Sequence, residues 1–184
     1  ETINEFRQKL ADLEIEVNDL QAEISRFSLI YHVVSAPVTV ANVFENLSEN
    51  EVLVDFITYD DGFSTNLIAI VARKEVGYCD DDNVCDRIVE MIPLGNLKDF
   101  GEFVNIYREV IQDEDAEDDE VMDYGNQLYD KLWKPILPFV RGRETVYLIP
   151  DGILHLLPFD AIVDDQQDYL IQKYQLNILS SARD

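Results

Sequence analysis

The segment that most restricts the fold is TVYLIP at 145–150, followed by Asp151 and Gly152. A strand that alternates apolar and polar residues buries one face, whereas a short strand that is apolar almost throughout must be covered on both. Helices on either side of a parallel sheet give that cover. Pro150-Asp151-Gly152 then ends the strand in a turn, since Asp bonds its own backbone and Gly reaches positive φ without steric cost. The expected class is therefore α/β.

Other segments fill in the architecture. Residues 3, 6, 10, 13, 17, 20, 24 and 27 are Ile, Phe, Leu, Leu, Val, Leu, Ile and Phe. This 3-4 spacing puts all of them on one stripe of a long amino-terminal helix, either a coiled-coil strand or a helix laid on a neighbouring helix or domain. Thr39 can cap a short helix in which Val40, Val43, Phe44 and Leu47 share a face. VLVDFITY at 52–59 and LIAIVARK at 67–74, separated by DDGFSTN, predict a β-hairpin, and RIVEMIPL at 87–94 can add a third strand. Leu97, Phe100, Phe103, Val104 and Tyr107 recur at helical spacing, as do Leu128, Leu132 and Trp133. The acidic run DEDAEDDE at 113–120 between them is expected to be a disordered, solvated connector.

Composition removes several function classes. With 184 residues the chain can bury roughly 70% of its unfolded surface. There are 38 acidic and 14 basic residues, a formal charge of -24, and the densest basic patch is RGR at 141–143. Such a surface repels phosphates, so no direct nucleic-acid contact is expected. No apolar run approaches the ~20 residues of a membrane helix, and the expectation is a cytoplasmic protein without a membrane partner. Cys79 and Cys85 sit in an acidic region, as free thiols or as a conceivable disulfide. Together with the distant His32 and His155 they do not make a zinc site. Neither metal nor cofactor is expected.

VYLIPDGILHLLPFDAI at 146–162, followed by DYLIQKYQLNILSSA at 168–182, resembles the opening of the CHAT domain, a branch of the caspase and separase clan of cysteine peptidases. The matching positions are Pro150, Asp151, Gly152, Leu154, His155, Leu157, Pro158 and Phe159, then Tyr169, Leu170, Ile171, Tyr174, Ser181 and Ala182. The upstream order of elements is similar in pattern only. The resemblance implies the amino-terminal part of a caspase-like sheet flanked by helices, with an upstream β-hairpin and the long amino-terminal helix. It divides the chain into an arm at 1–36, a hairpin-and-helix region at 37–143 and the first core strands at 144–184. It also implies a strand at 169–174, proteolysis of a protein substrate, and a position after tetratricopeptide-like (TPR) helices.

The peptidases of this family draw their His from a "HxxTHG"-like segment and their Cys from a "SAC"-like one, both downstream of the position matching Ala182. No catalytic residue is therefore expected among residues 1–184, and hydrolysis would need the downstream catalytic half of the domain as partner. An end at Asp184 would suit a proteolytic cut as well as a boundary of other origin. His155 is a poor substitute for the catalytic imidazole, because the acidic setting of both thiols raises a thiol pKa. It is expected to be a structural residue, packed between strand and loop with one ring nitrogen bonded to a backbone group. The loop at 150–159 nevertheless leaves the carboxyl end of a parallel strand, where ligands of open α/β sheets bind. Asp151 and His155 are thus candidate substrate-binding residues on the rim of a cleft. The competing expectation is a catalytically inactive interaction or regulatory module that binds through its acidic surface and heptad helix.

Overall fold

The computed structural model describes residues 9, 17, 38–75, 87–113 and 115–183, and the chain divides into two units, 1–38 and 39–184. Apart from Lys9 and Val17, the predicted amino-terminal arm at 1–36 lies outside the described residues, as do His32, Cys79 and Cys85.

The second unit is built on a mixed sheet of five strands: β1 (Glu51–Asp60), β2 (Thr65–Lys74), β3 (Arg87–Asn96), β4 (Thr145–Ile149) and β5 (Gln175–Ile178). Their order is β3-β2-β1-β4-β5. β1 and β2 form the predicted hairpin, β3 adds an antiparallel edge, and β4 and β5 run parallel to β1. Among the described residues four α-helices accompany them, α1 (Val40–Asn46), α2 (Leu97–Gln112), α3 (Asp118–Leu128) and α4 (Leu137–Val140). This is the expected α/β arrangement of a partial caspase-like sheet flanked by helices.

Strand parity decides which residues meet which helix. Val52, Val54 and Phe56 of β1 share a face with Ala69 and Val71 of β2 and with Val146 and Leu148 of β4. All are buried in the main core with Phe100, Val104 and Tyr107 of α2 and Leu128, Leu132 and Trp133 from the end of α3 and beyond. The opposite parity, Leu53, Ala72 and Ile149, forms a smaller core with Phe44 and Leu47 at α1. β4 is thus covered on both faces, as its unbroken apolar run demanded. Thr39 caps α1 by accepting from the Asn42 amide while Asn42 accepts from the Thr39 amide. Val40, expected on the packed face, stays exposed at the first turn.

Two local expectations are corrected. Helix α3 begins inside the acidic run, with Asp118, Asp119 and Glu120 in its first turn. Acidic side chains complement the partial positive charge of a helix amino terminus, so the end of this run supports helix instead of only repelling itself. Residues 169–174 are no strand: Tyr169 makes a single bridge to Val163, and Leu170–Gln172 is a 3-10 turn. Leu170 is fully buried in the main core, and the Tyr174 ring lies 5.5 Å from that of Trp133. A spacing of four puts two residues on one face of a strand as well, so the sequence pattern could not separate strand from turn.

Candidate functional site

The carboxyl ends of β1, β4 and β5 point to one end of the sheet, and the loop leaving β4 there is held in three ways. Asp151 accepts hydrogen bonds from the Thr58 amide at 2.8 Å and from Thr58 Oγ1 at 2.6 Å. Phe159 stacks on Phe56, with ring centroids 5.7 Å apart. Leu154 and Leu157, three residues apart about the 3-10 turn Gly152–Leu156, are buried beneath it. Both anchors on β1, Phe56 and Thr58, have the same parity, so one strand fixes the loop twice. Gly152 has φ +55°, the left-handed value its place in Pro-Asp-Gly required.

The same turn carries His155 outward. Its side chain is exposed and makes no hydrogen bond among the described residues, which corrects the expected packing between strand and loop. The physical reason is the threefold period of the turn: with Leu154 and Leu157 facing the core, residues 155 and 156 face solvent. His155 is close enough for its charge to favour the ionised form of Asp151. The Asp151 carboxyl is held below its ordinary range, first by the Thr58 hydroxyl, then by the Thr58 and Gly152 amides. Asp151 is accordingly a pin between two strands with an acceptor role already filled, and His155 is the freer of the two.

Asp55 was missed by the sequence reading. Pairing with Ile70 and Ile149, it sits among the apolar residues of the sheet's less covered face. Burial, then the charge of Asp151, pushes its carboxyl above the ordinary range. The one available signal was its interruption of VLVDFITY. Thr58 was also missed, because a threonine near a strand end is too common to distinguish it. Among the described residues no cluster of three or more His, Cys, Asp or Glu is placed to hold a metal ion.

The family model described as the CHAT domain matches residues 122–184. The matched stretch is similar to that domain and makes up about a third of the chain. It runs from within α3 through β4, the pinned loop and β5, so the loop carrying Asp151 and His155 lies wholly inside the matched residues, while β1, which anchors it, lies outside them. No curated protein matches the chain. Among the described residues, no helix is long and apolar enough to cross a membrane.

Proposed function

We propose that the chain forms the non-catalytic amino-terminal half of a caspase-like cysteine peptidase acting on protein substrates, completed by a downstream His and Cys segment of the same domain. In that reaction a thiolate attacks the scissile carbonyl carbon, the imidazole passes its proton to the departing amine, and water then releases the acyl group from sulfur. Residues 39–184 contribute the frame: the parallel strands, the pinned turn, and His155 on the rim where substrate would lie. TPR-like helices are the proposed neighbours of the arm at 1–36. The observation that carries this reading is the Pro-Asp-Gly turn fastened to Thr58 at the carboxyl ends of the parallel strands, where α/β sheets bind ligands.

The test uses the complete protein. His155→Ala should raise KM for a peptide substrate by about threefold to tenfold with an unchanged Tm, because an exposed side chain that touches only substrate contributes binding and little stability. Unchanged KM removes His155 from the rim. Replacing the cysteine of the downstream "SAC"-like segment by alanine should abolish turnover; activity that survives refutes the peptidase reading.

A specific observation favours a second reading, an inactive binding module. Phe63, at the tip of the β1–β2 hairpin, is 99% exposed. The tip is stiffened by Asp61 Oδ1 accepting from the Phe63 and Ser64 amides at 2.9 and 2.8 Å, so an aromatic side chain is presented at low entropic cost. A complete protein with both downstream residues intact and no peptide turnover would support that alternative.

A further inference from the structure

Among the described residues, the face of the sheet opposite the main core is only half covered. Helix α1 and its carboxyl-terminal cap set Phe44 and Leu47 against Leu53, Ala72 and Ile149, and the rows beyond stay open. One row crosses three strands as Met91, Ile70 and Asp55, and the next as Pro93, Ile68 and Ile57. Met91 is 65% exposed, Val89 and Tyr59 of the same face are exposed, and Ile57, Ile68 and Ile70 are half-buried. These rows span two strand spacings, about 10 Å, which is the diameter of one α-helix. A contiguous apolar strip of this kind marks an interaction surface.

Asp55 interrupts the strip. It is half-buried between Ile70 and Ile149, yet its carboxyl makes no hydrogen bond or ion pair among the described residues. Burial pushes that carboxyl above its ordinary range, so its charge weakens the fold when the face is bare. The charge becomes favourable when a cation arrives together with apolar surface, because the pair then regains what each group lost on leaving water. A second copy of the chain would instead bring the same carboxylate and a like charge of -24, which opposes self-docking.

We propose that this half of the sheet face docks a basic amphipathic helix of a partner protein, its apolar stripe on Met91, Ile70 and Ile57 and one lysine or arginine reaching Asp55. Net charge draws such a helix toward the chain, and the apolar rows fix where it lies. The surface is independent of the peptidase reading and is tested without turnover.

The probe is a fluorescein-labelled amphipathic helix of leucine and lysine, LKKLLKLLKKLLKL, added to the full chain at physiological salt. Anisotropy should rise saturably with one peptide bound per chain. Met91→Glu should weaken binding by about tenfold while melting with the parent, since the side chain is exposed. That variant is more acidic than the parent, so association through net charge alone would be unchanged or tighter. Asp55→Asn should weaken binding by about fivefold while raising Tm, a combination that general damage to the fold does not produce. The proposal is overturned by the absence of saturable binding, by equal or tighter binding in Met91→Glu, or by unchanged affinity in Asp55→Asn. It also falls if the chain alone sediments as a dimer that Met91→Glu dissociates, which would give the face to a second copy.

Discussion

Asp151→Ala tests whether the Pro-Asp-Gly turn is fastened by its carboxylate or by its apolar neighbours. The carboxylate accepts two short bonds from Thr58, and bonds to a charged acceptor are worth about 1.5–3 kcal/mol each. Both partners are half-buried, so water replaces part of that value, and removing the charge also relieves its repulsion of Asp55. A net loss of about 2 kcal/mol remains, which lowers Tm by about 4–8 °C in a domain of this size. The pH dependence has a fixed sign. Because folding lowers the Asp151 pKa, its contribution is fully present above the unfolded carboxyl range and is lost as pH falls through the folded value. Urea unfolding of parent and variant should therefore differ by the full amount at neutral pH and converge in acid, while Asp151→Asn, which keeps one acceptor oxygen, should fall between them. Equal stability at neutral pH, or a gap that widens in acid, would refute the pin.

Three further outcomes follow from the packing. Asp55→Asn should raise Tm at neutral pH: a carboxyl whose folded pKa is raised withdraws stability as pH climbs through that value, so the gain should vanish in acid. Gly125→Ala should cost about 1–3 kcal/mol despite the better helix propensity of alanine, because the added Cβ would lie 2.8 Å from Cγ2 of the buried Val163 and 3.3 Å from the Tyr107 hydroxyl; a stabilised variant in thermal melts would contradict this. The chain alone should self-associate with rising concentration in light scattering, and Asn177→Lys on β5 should reduce it, since a lysine blunts an exposed strand edge; a monomer at high concentration would remove the premise.

The sheet was legible because hydrophobic pattern is read locally. TVYLIP signalled burial on both faces, and the alternation in VLVDFITY and LIAIVARK signalled a hairpin, so β1, β2 and β4 could be placed from sequence. What failed depended on partners distant in sequence. Whether YLIQKY extends or turns is settled by Trp133 and by Ile162, whose carbonyl takes the Leu170 amide at 2.9 Å; neither contact is visible in the segment itself. Asp151 was identified by its motif, but its role as a pin rests on Thr58, ninety-three positions away.

The two edges of the sheet are built differently, and the difference sets the direction in which it can grow. β3 carries Pro93, which lacks an amide donor, the charged Arg87 and Glu90, and a register shift against β2 at Leu67/Ile68. Each of these features discourages a further strand. β5, reading QLNI, has neither charge nor proline and ends on an exposed Ile178. Among the described residues its only strand partner is β4. An added strand would therefore pair beside β5, bringing new residues to the end of the sheet where the Asp151 pin and the exposed His155 already stand. That end is stiffened before any such strand arrives, since Thr58 and Phe56 hold the loop from the strand on the far side of β4. A site assembled there would have one wall preorganised by β1 and the other supplied by the incoming chain.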